Sequence, residues 1–304
     1  MILTVPILLG FALGLVIPEL LHNYNLLVIV ILVLALIWLY ILYKIIKNNP
    51  DVPAIKRLGD TLAPFIETTE AIGEMPKMMW RLSAVYFFQW YALFCYWQFI
   101  TPMLRSSLYG LSNSDSDKFE GIMEACKAGE QIATTDQSFA QNFQMLSEQA
   151  LAQTGLMNGT YNLVTMFVAL ALVPFAKKYG SKNVYVISLV LSAAAMLSMP
   201  FIKDAYVLLV PMVLFGIGWA AMMGIPYAMV SKVIPEDRRG VYMGIVNMMI
   251  VIPMLIQTVS FGPIIKNLLG NSAINAIIFG GVFFAIAALL AIRLNTKPTN
   301  AGSS

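Results

Sequence analysis

Residues 206–231 read YVLLVPMVLFGIGWAAMMGIPYAMVS. No charged side chain interrupts the run. It is longer than the about 20 mostly apolar residues a helix needs to cross a bilayer. Gly216, Ala220 and Gly224 recur at intervals of four, a small face that lets another helix approach closely. Pro226 frees the carbonyl one turn earlier and permits a bend. The stretch is a membrane span, and comparable runs lie on both sides of it.

Working outward, eight candidate spans emerge: 2–21, 26–47, 80–104, 154–176, 183–202, 206–231, 241–265 and 273–294. The composition agrees. The 304 residues are 59% hydrophobic and 12% charged, about half the charge of an ordinary soluble domain. The expected fold is all-α, a polytopic transmembrane helical bundle. Residues 1–21 lack a basic n-region and read as a span, not a cleaved leader.

The positive charges set an orientation. With a cytoplasmic N-terminus, 14 of the 19 lysines and arginines fall inside and 5 fall outside (Arg105, Lys118, Lys127, Lys203 and Lys266). The positive-inside rule favours this arrangement, which puts both termini in the cytoplasm and requires an even number of spans. The expected organisation is two helices in 1–47, a cytoplasmic linker over 48–79 with four prolines, a six-helix bundle over 80–294 and a cytoplasmic tail over 295–304. A polar external insertion occupies 105–152. Its segments 117–131 and 137–153 predict short surface helices. It reads as a solvated insertion or as a lid over a solute entrance.

Apart from Glu19, near the end of the first span, every acidic residue lies in a loop or at a span end. Ionisable groups in the bilayer core are costly and mark ion pathways. A proton-coupled transporter needs such a group, so a coupling acid is expected outside this chain. The single histidine, His22, and two cysteines, Cys95 and Cys126, give neither a metal site nor a disulfide framework. There is no Ser–His pairing, HExxH or phosphate loop. Gly216-Ile217-Gly218 lies inside a span and is not a nucleotide fingerprint. No enzyme activity, cofactor, metal or nucleic-acid partner is expected.

Uncharged polar groups remain in the spans. At 3.6 residues per turn, Trp90, Phe94, Trp97, Gln98, Thr101 and Arg105 share one face of span 80–104, with Gln89 about a third of a turn away. Indoles stack on the C–H face of a sugar, while amides donate to and accept from its hydroxyls. The same face reads equally as lipid-facing anchors. Asn158, Tyr161, Asn162 and Thr165 form a stripe on span 154–176. Facing lipid they would lack partners, so they face protein or water, as cavity lining or as interhelical glue. Trp219 and Tyr227, and Asn247 with Met254 and Thr258 beyond it, complete the candidate set. Gln257 lies a quarter turn from Asn247.

Met75-Pro76-Lys77, Phe87-Phe88-Gln89-Trp90 and Phe94-Cys95-Tyr96-Trp97 resemble the seventh helix of the sucrose/maltose–proton symporter branch of the major facilitator superfamily. Gly216-Ile217-Gly218-Trp219-Ala220, Pro226-Tyr227-Ala228-Met229-Val230-Ser231 and Gly240-Val241-Tyr242-Met243-Gly244-Ile245-Val246-Asn247, running on to Pro253, resemble its tenth and eleventh helices. The resemblance covers about residues 75–296. It implies the C-terminal six-helix half of a major facilitator fold plus two preceding helices, working with an N-terminal half in the plasma membrane, the inner membrane in bacteria. It implies a proton-driven importer of small glycosides. The residues expected to contact the sugar are Trp90, Trp97, Gln98, Thr101, Asn158, Tyr161, Asn162, Trp219, Tyr227 and Asn247. Ala176-Lys177-Lys178-Tyr179-Gly180-Ser181-Lys182 stands at the superfamily's basic gating loop but lacks that motif's Asp. Met254 stands where relatives often carry Gln. Two other functions are compatible with the residues: transport of another small, amphipathic or anionic solute, with Arg105 as the contact of an anion, or a non-transporting receptor or scaffold that uses the insertion.

Overall fold

The computed structural model describes Tyr40 and residues 66–294. The span expected at 2–21, the span expected at 26–47 apart from Tyr40, the linker up to residue 65 and the tail 295–304 lie outside the described residues. The chain divides into two units, Met1–Ile66 and Glu67–Ser304, and the architecture below is that of the second.

Residues 67–73 are helical. Seven longer α-helices follow: α1 (Lys77–Ser107), α2 (Asn113–Lys127), α3 (Thr134–Tyr179), α4 (Ser181–Ser198), α5 (Leu209–Val230), α6 (Arg239–Asn267) and α7 (Ala273–Ala291). A 3₁₀ turn, Met199–Phe201, extends α4 around Pro200. No strand occurs among the described residues.

Five of these segments are long and apolar enough to cross a membrane: α3, Ser181–Phe201, α5, α6 and α7. The span expected at 80–104 lies within α1, which has the length, 31 residues, but not the hydropathy. Its Trp, Tyr and Gln side chains explain the difference, and most of them meet protein instead of lipid. Tyr86, Gln89 and Tyr96 are fully buried.

α1 packs against α7, α7 against α4, α4 against α5, α5 against α3 and α3 back against α1. Five helices thus form a closed ring, and α6 docks onto α1 from outside it. The ring's interior holds Leu82, Tyr86, Leu93 and Tyr96 of α1 with Tyr185, Met196, Phe215, Met222 and Phe284. The outward surfaces are apolar too: Leu170 and Val259 are each 79% exposed. In water such a surface would drive aggregation, whereas in a bilayer it is ordinary. This is an integral membrane protein.

Small residues set the ring's close contacts. A Cβ on Gly216 would lie 2.6 Å from the Tyr161 carbonyl oxygen, and one on Gly224 would lie 3.0 Å from Leu172. The small face at 216, 220 and 224 therefore packs α5 on α3. Gly218 packs the opposite side: its Cβ would lie 1.9 Å from Ser192 Oγ and 2.9 Å from the Ser188 carbonyl oxygen of α4.

The insertion departs from the expected pattern. In place of a surface helix at 137–153 followed by a separate span, α3 runs unbroken for 46 residues. Nothing between 151 and 156 breaks a helix, since Gly155 alone costs only about 1 kcal/mol. Thr154 and Thr160 donate to carbonyls four residues back, at 3.0 and 2.8 Å. α2 starts at Asn113, earlier than the expected 117, because Ser112 and Asp115 form a capping box. The Ser112 hydroxyl and backbone amide hold the Asp115 carboxyl below the usual carboxylate range.

At one end of the bundle, Arg238 donates to a Glu74 carboxylate oxygen at 2.5 Å and to the Glu67 carbonyl at 3.4 Å. The α5–α6 loop is thereby tied to the segment that enters α1. Glu74 holds the Arg238 guanidinium above its usual range. At the other end, Lys203 donates to the Ser107 carbonyl at 2.9 Å, and Asn113 donates to the Asn271 carbonyl at 2.6 Å.

Candidate functional site

Trp90 and Trp97 lie seven residues apart on α1, two helical turns on one face. The indole of Trp219, on α5, stands between them. Its ring centroid is 6.0 Å from Trp90 and 5.8 Å from Trp97, edge-on to both at 76°. Tyr161 of α3 completes the group at 6.5 Å from Trp219. Behind it, Tyr96 and Phe215 join at 4.8 Å, so the cluster is continuous with the core. Trp90 is buried, while Trp97 is 38% exposed. One rim of the cluster is therefore open.

Amides and hydroxyls surround the rings. Tyr96 donates its hydroxyl to Asn158 Oδ1 at 2.8 Å. Gln257 Nε2 donates to Gln98 Oε1 at 3.1 Å, and Gln98 itself stays exposed. Tyr227 donates to Asn247 Oδ1 at 2.8 Å. Thr101 and Thr154 share a hydroxyl hydrogen bond of 2.8 Å farther along α1. None of these groups is ionisable near neutral pH, and the cluster is uncharged.

The expected residues thus come together unequally. Trp90, Trp97, Tyr161 and Trp219 form one aromatic body. Gln98, Thr101, Asn158, Tyr227 and Asn247 each take part in an interhelical hydrogen bond at its margins. Asn162 stays exposed, and its amide donates to the Asn158 carbonyl of its own helix at 2.8 Å. Thr165 donates to the Gly216 carbonyl at 2.9 Å, binding α3 to α5 as interhelical glue. Arg105 lies apart, in a groove of about 330 Å³ shared with Glu120 and Glu148. Two carboxylates beside it make that groove a poor anion site.

Beneath the cluster is a set of polar groups that the sequence reading did not assemble. The Tyr185 hydroxyl of α4 donates to Gln89 Oε1 of α1, both fully buried. Gln89 Nε2, Trp90 Nε1 and the Tyr86 hydroxyl are buried there without a hydrogen-bond partner among the described residues, as is Gln257 Oε1 on α6, which lies instead beside Cys95 and Gln98. Tyr86, Gln89 and Trp90 are spaced i, i+3 and i+4, so three of the four share one face of α1. A glutamine inside an apolar span is the signal that marks this face.

A family model described as Major Facilitator Superfamily matches residues 132–304, more than half of the chain. Neither a curated protein nor a solved structure matches it.

Proposed function

The chain belongs to the major facilitator superfamily, a family of transporters and not of enzymes, and from that premise we propose that it transports small glycosides such as sucrose or maltose. The observation that carries this reading is the Trp90–Trp219–Trp97 arrangement, open at one rim and edged by Gln98, Asn158 and Asn247 without a charged group. Aromatic faces suit the C–H side of a pyranose, and amides suit its hydroxyls. A charged solute would find no counter-charge there. Buried polar atoms without partners cost about 1–3 kcal/mol each, so Gln89 Nε2 and Trp90 Nε1 favour a solute or water that brings acceptor oxygens.

The mechanism is alternating access, in which two bundles rock about a site near the bilayer midplane. This chain supplies one side of that site, as the C-terminal half, against an N-terminal bundle. The spans within 80–294 contain no carboxylate of the kind that carries a proton. Coupling to protons, where it occurs, uses an acid in the other half. The excess of Lys and Arg on one side of the spans supports cytoplasmic termini.

Counterflow of labelled maltose and sucrose by the complete transporter in liposomes tests the proposal. Saturable exchange that Trp219→Ala abolishes is expected. Absence of saturable uptake of any mono- or disaccharide overturns it.

A further inference from the structure

A cavity lies on the side of α5 away from the aromatic cluster. It measures about 450 Å³, within the range of about 300–1,000 Å³ that holds small ligands. Val168, Leu172 and Phe175 of α3, Ile187 of α4, and Ile217 and Ala221 of α5 line it. Ile217 and Ala221 stand one turn apart, and at about 100° per residue Trp219 points to the opposite face. The cavity is therefore separate from the aromatic cluster. It opens among side chains on the lipid-facing surface: Phe175 is 55% and Ile187 57% exposed.

An adjoining cavity of about 360 Å³ shares Tyr179 and Ile187 with the first and adds Lys182 and Asn183. Together they form one groove, apolar along the helices and basic at the α3–α4 turn. Lys177, Lys178 and Lys182 lie at that turn, and none of them makes an ion pair among the described residues. Lys178 Nζ sits 5.2 Å over the Tyr179 ring, and Lys182 Nζ donates to the Ile292 carbonyl at 3.1 Å. The turn lacks an aspartate that would neutralise them.

We propose that this groove is a binding site for an anionic glycerophospholipid. One acyl chain lies in the apolar cavity, the phosphate meets Lys182 beside Tyr179, and Lys177 and Lys178 add positive charge at the same depth. The charge complementarity is specific in depth: the cations sit where α3 and α4 leave the apolar layer, at the height of a headgroup, and Tyr179 sits there as an interfacial aromatic. Each lysine near an anionic lipid surface contributes about fivefold in affinity. The site is independent of the transported solute.

The test uses the whole chain in detergent, titrated with dioleoyl phosphatidylglycerol or dioleoyl phosphatidylcholine and read by native mass spectrometry. The anionic lipid is expected to be retained at least about tenfold better. The triple variant Lys177→Gln/Lys178→Gln/Lys182→Gln is expected to lose that preference. A control with the same charge removed elsewhere, Lys118→Gln/Lys127→Gln/Lys266→Gln, is expected to keep it. Ala171→Trp, which fills the groove, is expected to lower retention of both lipids. Equal retention of the two lipids by the unaltered chain overturns the proposal. So does a preference that survives the triple variant or falls equally in the control, and so does undiminished retention in Ala171→Trp.

Discussion

The Tyr227 hydroxyl donates to Asn247 Oδ1 at 2.8 Å, across a gap where α5 and α6 otherwise scarcely meet. Asn247 is exposed beyond this bond, which leaves its amide nitrogen free to meet a solute. Asn247→Ala is expected to raise KM for the proposed glycoside substrate about tenfold, the loss of one to two neutral hydrogen bonds. The melting temperature should change little. An unchanged KM with a lowered melting temperature would make the pair a strut between helices and nothing more.

The three tryptophans of the cluster differ in burial, and their substitutions should differ accordingly. Trp90 is 4% exposed, so Trp90→Ala is expected to cost about 3–5 kcal/mol of stability. Trp97 is 38% exposed, so Trp97→Ala should leave the melting temperature nearly intact while weakening sugar binding. Tryptophan fluorescence during sugar titration separates the two. Quenching should disappear in Trp97→Ala protein that remains folded.

Two glycines of similar appearance should respond oppositely. At Gly218 a methyl group would strike Ser192 and the Ser188 carbonyl, so Gly218→Ala is expected to destabilise by about 1–3 kcal/mol. At Gly159, within α3, nothing lies within 4 Å of the added atom. Gly159→Ala is expected to stabilise by about 0.5–1 kcal/mol, the helix-propensity difference. Thermal unfolding in detergent measures both.

The α2 cap should depend on pH. Asp115 is held below its ordinary range by Ser112, so the folded state favours the ionised carboxylate. Its stabilising contribution is present above the ordinary carboxylate pKa of about 3.9 and is lost as pH falls through the lower folded value. Ser112→Ala should return the Asp115 titration toward the ordinary range. Amide exchange at Asp115 should then be fast at neutral pH, whereas in the unaltered cap the Ser112 hydroxyl accepts from that amide and protects it. Equal exchange in the two proteins at neutral pH would count against the cap.

Much of the fold is legible because bilayer crossing leaves a coarse signal. Long apolar runs such as 206–231 and 273–294 return as α5 and α7 with small shifts at their ends. The junction near residue 154 is not legible. Polarity changes abruptly there, which suggests two helices, yet backbone hydrogen bonding continues because nothing stops it. In the site, helical spacing places Trp90 and Trp97 on one face. It cannot show that Trp219 from another helix stands between them, since that depends on how closely Gly216 lets α5 approach α3. The Gln89–Tyr185 pair escapes sequence reading for the same reason: its two halves lie 96 residues apart.

The unbroken course of α3 has a mechanical consequence. At about 1.5 Å per residue, its 46 residues form a rod of about 69 Å, more than twice the about 30 Å of the hydrocarbon layer. The end near Thr134 stands about 46 Å from the helix's midpoint in the bilayer, near Thr165. A tilt of about 10° at that depth would sweep the far tip through about 8 Å, since no proline interrupts α3 between Thr134 and Thr165 to kink it. α3 is thus a lever: small rotations beside Trp219 become large displacements of the α2 layer, and a force applied to that layer is returned to the aromatic cluster with the same gain.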